Sequence, residues 1–212
     1  MKKEDLRIVF MGTPEFAVET LKALPAFVQT LSTFEANLQV VVAFRMLPEV
    51  VWAMPRYGTF NVHAALLPQY RGAAPINWAI INGEQQTGIT TFFLDEQIDT
   101  GKMILREPVD IPEEANVEYL YNKLMHLGAQ MCLQTVDLII STDGHAPTLN
   151  QSEFIKAGLT LRPAPKIYKE TCQINWNQPS KKVYDFIRGL SPHPGSWGIV
   201  NGTEPMEVKV FQ

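Results

Sequence analysis

Asn61, His63 and Asp99 are the residues of this 212-residue chain whose types and spacing suit proton-transfer chemistry. Asn61 and His63 stand two apart in Gly58-Thr59-Phe60-Asn61-Val62-His63, a run that reads as a strand. Side chains at i and i+2 of a strand share a face. An amide and an imidazole are thereby presented together near the strand's carboxyl end. Asp99, between Ile98 and a Thr-Gly turn, adds a carboxylate. Such a trio suits acyl-group transfer, in which one group receives or orients a proton and another holds a developing oxyanion.

Each member also has a structural reading. His63 can be a satisfied core histidine, Asn61 a strand-end cap and Asp99 a turn former. Position favours chemistry, because ligands of open α/β sheets bind beyond the carboxyl ends of strands. The following Leu66-Leu67-Pro68 is apolar where a loop is normally polar, as a groove for a flat ligand requires. His126, His145 and His193 fall on a helix, in a Gly-Pro loop and between prolines, and read as surface or connector residues. One His and one Asp fall short of the three protein ligands a catalytic zinc needs, so no metal site is expected. Neither a G-x-S-x-G elbow nor a P-loop is present.

These residues need elements to position them. Arg7–Met11 is an apolar strand ending at Gly12-Thr13-Pro14, and Pro14 and Glu15 suit the start of a helix carrying Phe16, Val18, Leu21 and Leu24. Ala26–Ala36 reads as a short helix and Leu38–Phe44 as a buried strand. Leu47–Met54 and Pro75–Ile81 read as helices, Thr87–Leu94 and Lys102–Arg106 as strands. Asn116–Ile140 is the longest helix candidate, with Leu120, Leu124, Leu127 and Met131 on one stripe. Beyond Thr142 prolines break the chain into short pieces around a helix at Ser180–Leu190. Pro192–Trp197 reads as a turn-rich connector and Met206–Phe211 as a last strand. Strands alternating with helices predict an α/β fold with a parallel or mixed sheet.

Hydrophobic content of 46% with 19% charged residues is ordinary for a globular protein. A net charge of −4 gives no global signature of nucleic-acid binding. No apolar run approaches the ~20 residues of a spanning helix, and the mixed charges of residues 1–7 do not read as a signal peptide. Cys132 and Cys172 read as buried thiols rather than a disulfide framework. A cytoplasmic protein is expected.

The stretch NVHAALLPQYRGAAPINWAIINGEQQTGITTFFLDEQIDTG is similar to the core of the 10-formyltetrahydrofolate-dependent formyltransferases. The opening RIVFMGTPEFAVETL, the segment VVVAFRMLPEVVW, and the tail motifs APKI (Ala164–Ile167) and FIRGLSPHPGSW (Phe186–Trp197) extend the resemblance over nearly the whole chain. Within that family they resemble the members whose acceptor is initiator methionyl-tRNA. The resemblance implies an open, mostly parallel twisted sheet with helices on both faces, then a linker and the start of a small barrel-like domain. The corresponding divisions are 1–140, 141–190 and 191–212. It also implies 10-formyltetrahydrofolate as co-substrate, no metal, initiator methionyl-tRNA as partner, no membrane attachment and a monomer.

Carried over by motif, Asn61, His63 and Asp99 match the family's catalytic trio. A folate-contacting Ser-Leu-Leu-Pro falls on Ala65-Leu66-Leu67-Pro68, with Ala65 in place of the serine, so a hydroxyl contact is lost. Phe44, Arg45, Met46 and Leu47, with Asp95, Gln97 and Ile98, would line the pterin pocket. Two departures stand out. The family's second strand and basic tRNA-engaging loop have no counterpart where Leu24-Pro25 runs into Ala26, and only the first strand of the terminal barrel is expected. An internal segment absent after Leu24, by omission or by truncation, is the expected reason for the first. Other acceptors (glycinamide ribonucleotide, an amino sugar nucleotide), a folate- or tRNA-binding module without catalysis, and a hydrolase releasing formate are the competing readings.

Overall fold

A computed structural model describes residues 6–12, 16–17, 19–20, 36–43, 47–202 and 204–212. The expected turn at Pro14 and most of the first helix lie outside these residues. So do the short helix up to residue 35 and the segment Phe44–Met46.

One five-stranded sheet organises the chain, in the order β1 (Ile8–Gly12), β2 (Leu38–Val42), β3 (Thr59–His63), β4 (Gln86–Phe93) and β5 (Met103–Asp110). β2, Leu-Gln-Val-Val-Val, is buried at every position, as a central strand covered on both faces must be. The β1–β2 and β2–β3 pairs are parallel, whereas β3–β4 and β4–β5 are antiparallel. The sheet is therefore mixed. Connection geometry explains the reversal. The loop from residue 94 to residue 102 is too short for a parallel crossover, which takes a dozen or more residues. The longer segment between β3 and β4 leaves β3 at its carboxyl end and re-enters at that same end, carrying α2 (Pro75–Ile81) with it.

A short helix α1 (Glu49–Trp52) precedes β3, and the long α3 (Val117–Ser141) follows β5. Asn116 caps α3, its side chain accepting from the Tyr119 N–H at 3.0 Å. Leu120, Leu124, Met131 and Cys132 are buried with Val62, Phe16 and Ile89 in the main core. Gly128 allows the close approach, since a Cβ there would meet Phe16 and Val62 at 3.3–3.4 Å. Both cysteines are free and buried. Burial pushes the Cys132 thiol up to about 12.

The tail folds back on this layer. Single bridges join Leu149 to Met103 and Ala164 to Gly72. α4 (Ser180–Arg188) docks through the buried Arg188, which donates to Asp185 Oδ1 at 2.7 Å and to the Ala115 carbonyl at 2.6 Å. The end of the chain differs from the sequence expectation in one respect. Pro192–Trp197 is not wholly a connector, because a strand β6 (Ser196–Val200) begins at Ser196 and pairs antiparallel with β7 (Met206–Val210). The proline cluster obscured it, and a glycine inside the five-residue run weakened its strand signal.

Candidate active site

β3 ends with Asn61 and His63 on one face, and both line a cavity of about 690 Å³. That size is ordinary for a small-molecule site. His63 is 6% exposed, with the ring edge-to-face against Phe92 at 6.3 Å. Its Nε2 lies 2.9 Å from the carbonyl oxygen of Tyr70. A carbonyl only accepts, so Nε2 carries the hydrogen and the neutral ring keeps its lone pair on Nδ1. Nδ1 lies 3.8 Å from Asp99 Oδ2. Asn61 Oδ1 is buried without a hydrogen-bond partner. A buried polar atom left unpaired in this way is costly, and the deficit suits a polar ligand.

Asp99 reaches His63 by an indirect route. The loop starts beside the beginning of β3, where Leu94 N–H donates to the Thr59 carbonyl at 2.8 Å. It then folds back along the strand. Thr100 Oγ1 donates to Asp95 Oδ1 at 2.6 Å, and Gly101 packs so close that a Cβ would overlap the Phe93 carbonyl. Asp99 itself has φ +55°, in the left-handed region. Its carboxylate accepts from the Gly72 N–H at 2.9 Å. Gly72 has φ +124° and sits against the Ala164 carbonyl. The trio expected from the sequence is thus brought together, with Gly72 and Tyr70 as main-chain partners.

Tyr70 is anchored at both ends. Its N–H donates to the Arg162 carbonyl at 2.7 Å and its hydroxyl to Glu84 at 2.5 Å. Burial, then the Glu84 hydrogen bond, pushes the phenol up to about 12. Arg162 completes the group by pairing with Glu84 at 2.7 Å.

The remaining expected residues divide. Leu47, Asp95, Gln97 and Ile98 line the cavity, though Asp95 already accepts from the Gln97 N–H and the Thr100 hydroxyl. Phe44, Arg45 and Met46 lie outside the described residues. Ala65, Leu66, Leu67 and Pro68 do not line it. Ala65 and Leu67 are fully buried, and Leu67 packs with Phe92 and Met103. Ala65 and Leu67 of this apolar loop are therefore core residues, with Thr90 Oγ1 accepting from the Leu67 N–H and donating to the Ala65 carbonyl. Sequence reasoning missed the wall from Gly72 to Asn77, together with Trp52, Tyr121 and Lys166. Gly72 had a signal, as a glycine between a polar run and Ala-Ala-Pro. Lys166 had none. Among the described residues no cluster of three or more His, Cys, Asp or Glu could hold a metal. No helix among them is long and apolar enough to cross a membrane.

A mixed α/β sheet presenting an amide, an imidazole and a carboxylate on one ligand-sized cavity suits a group-transfer enzyme. The sequence profile of the formyl transferase family matches residues 4–136, and that of the formyl transferase C-terminal domain matches residues 166–212. The chain belongs to the formyl transferase family. A relative from Bacteroides fragilis, a methionyl-tRNA formyltransferase, is 50% identical across 100% of this chain and 80% of its own length. That alignment runs over 262 positions against 212 residues here, so about fifty positions of the relative have no counterpart in this chain. Among solved structures, a 4-N formyltransferase from Francisella tularensis superposes with a TM-score of 0.72 at 17% identity, covering 97% of each chain. HypX from Aquifex aeolicus, in complex with tetrahydrofolic acid, gives 0.71 at 19% identity over 98% of this chain and 37% of its own. These two share the fold.

Proposed function

We propose that this chain transfers the formyl group of 10-formyltetrahydrofolate to the α-amino group of methionyl initiator tRNA, acting in the cytoplasm as a monomer. The observation that carries the acceptor is the 50% identity to a methionyl-tRNA formyltransferase over the full chain, tail included. The residues support the same reading. Segment 154–182 holds Lys156, Arg162, Lys166, Lys169, Lys181 and Lys182 against a single acid, Glu170, in a chain of net charge −4. Lys166 brings that positive stretch to the cavity wall. We read 1–140 as the catalytic domain, 141–190 as a linker that also braces the site, and 191–212 as the start of the C-terminal domain.

The donor fits the cavity by size and by its unpaired amide. Leu47, Leu94 and Ile98 offer an apolar wall, with Gln97 and Asp95 at its polar edge. Formyl transfer needs the acceptor amine neutral, and an α-amine of pKa about 7.7–8.0 supplies a useful neutral fraction near pH 7. As the amine attacks the formyl carbon, His63 Nδ1 takes the proton the amine must lose. Its Nε2–H remains on the Tyr70 carbonyl. Asp99, 3.8 Å away, stabilises the resulting imidazolium. Asn61 turns an N–H toward the oxyanion, a half-turn of its amide being inexpensive. His63 then returns its proton to the departing N10 amine of the folate. The atoms balance: the C–N bond to the acceptor forms, the C–N bond to the donor breaks, and one proton passes between the two nitrogens.

The test is an assay of the purified protein with 10-formyltetrahydrofolate and, separately, initiator methionyl-tRNA, glycinamide ribonucleotide and an amino sugar nucleotide. Formate release to water is followed without acceptor. Formyl-methionyl-tRNA alone should accumulate. Absence of that product, or faster formylation of either small acceptor, overturns the assignment.

A further inference from the structure

One buried amide outside the trio ties the loop that carries Asp99 to Arg71, the residue before the Gly72 N–H that the Asp99 carboxylate accepts. Gln151 opens a 3₁₀ turn, Gln151–Phe154, and is 4% exposed. Its backbone is fixed from two sides. Leu149 exchanges main-chain hydrogen bonds with Met103 at 2.9 Å, and Glu153 accepts from the Asn150 N–H at 3.0 Å. A glutamine side chain offers two N–H donors and two acceptor lone pairs. All four are used. Nε2 donates to the carbonyls of Asp99 (2.8 Å) and Gly101 (2.9 Å), and Oε1 accepts from Arg71 Nε (3.1 Å) and Nη2 (2.7 Å).

The consequence is geometric. Asp99 Oδ2 is held by the N–H of Gly72, the residue after Arg71. Gln151 therefore spans the two chain segments whose separation sets that bond, and with it the 3.8 Å between Asp99 and His63. Asp99 has φ +55°, a conformation a non-glycine residue keeps only where its surroundings hold it. Two hydrogen bonds, one to its own carbonyl and one two residues on, supply that hold. Gln151 does not line the cavity.

We infer that Gln151, in the segment linking the two family domains, is a positioning residue that holds Asp99 in register with His63. This rests on the reading of Asp99 and His63 given above. Gln151→Glu separates the roles, since it keeps oxygen for Arg71 and loses both N–H donors. Gln151→Met loses all four bonds. Kinetics are measured on the full chain with 10-formyltetrahydrofolate and methionyl-tRNA, with folded protein quantified by tetrahydrofolate binding. The expected result for Gln151→Glu is a kcat lowered about 10- to 100-fold, the scale of an ångström-sized misplacement. KM for the folate should change less than about threefold, well below that loss in kcat. In an Asp99→Asn background the same substitution should cost little more, because its effect passes through Asp99. A Gln151→Glu enzyme turning over like the wild type, or an equal loss in both backgrounds, overturns the inference. Gln151→Asn, one methylene short of both carbonyls, replaces Gln151→Glu should that variant not fold. His63→Ala and Asp99→Asn run alongside. If these two retain full activity the catalytic reading fails, whereas if they are inactive and the Gln151 variants are not, only the present inference fails.

Discussion

The Nε2–H of His63 donates to the main-chain carbonyl of Tyr70 at 2.9 Å, and this single bond decides which ring nitrogen faces Asp99. A side-chain acceptor at that place could rotate away or titrate. A carbonyl fixed by its own neighbours does neither. The ring is left with one proton committed to the scaffold and one basic nitrogen, Nδ1, available for exchange.

That division of labour makes His63→Gln an informative variant. The Gln Nε2 can take the place of the imidazole Nε2 and keep the bond to Tyr70, while no basic nitrogen remains. The protein should fold and bind tetrahydrofolate, with kcat down about 10²- to 10⁴-fold, the usual worth of a positioned general base. Steady-state kinetics at saturating folate provide the measurement. A loss below tenfold would remove His63 from proton transfer.

Asn61 poses a different question, because its Oδ1 is buried and unpaired in the free protein. Asn61→Ala removes an oxyanion donor together with that unsatisfied acceptor. Turnover should fall about 10²- to 10³-fold, the scale measured for a single oxyanion donor. Stability should not fall in proportion, since an orphaned acceptor disappears as well. Thermal unfolding alongside kinetics separates the two effects. If stability and turnover drop together, Asn61 is a structural cap.

Much of the architecture was legible because local pattern and tertiary demand coincide. The apolar run at Leu38–Val42, the Pro-initiated helix at Pro75–Ile81 and the Asn116-capped stripe of α3 are each written in a few residues. Strand direction was less so, because the β4–β5 reversal follows from a short connection, while the β3–β4 segment returns to the same end of the sheet at a length that would also allow a crossover. At the site, Asn61 and His63 were visible through the two-residue period of a strand. Their supports were not. Tyr70 and Gly72 act through main-chain atoms, and Gln151 acts from a segment far along the chain. No side-chain pattern encodes such partners. Leu66-Leu67-Pro68 was ambiguous for the opposite reason, since an apolar loop can serve a core as well as a ligand, and here Leu67 packs in the core.

Tyr70→Phe tests how firmly the carbonyl beneath His63 is held. The hydroxyl bond to Glu84 is lost, and that carboxylate retains Arg162. A hydrogen bond to a charged group contributes about 1.5–3 kcal/mol, so a loss of that order at pH 7 is expected. The pH dependence has a definite sign. The folded phenol is raised from 10.0 to about 12, so the native state resists ionisation. This contribution is complete below pH 10 and declines as pH rises through 12. The stability gap between wild type and Tyr70→Phe should therefore narrow above pH 10. Denaturant unfolding at pH 7, 10 and 11 measures it, and a gap that widens would contradict the burial of the phenol.

Gly72→Ala addresses the last link, from backbone to carboxylate. Gly72 has φ +124°, and a Cβ would stand 2.5 Å from the carbonyl oxygen of Ala164. The obstacle is main chain, so it cannot swing aside; either the strap at Ala164 or the Gly72 N–H must move. Gly158 provides the control, with φ +83° and nothing within 4 Å of where a Cβ would stand. Alanine at Gly158 carries the left-handed backbone penalty alone, on the order of 1 kcal/mol. Alanine at Gly72 adds the clash and should cost about 2–3 kcal/mol. Only at Gly72 should kcat fall, by about tenfold or more, because only there does the shift break the bond to Asp99. Equal kcat in the two variants would show that the Gly72 N–H does not hold Asp99 in its working position.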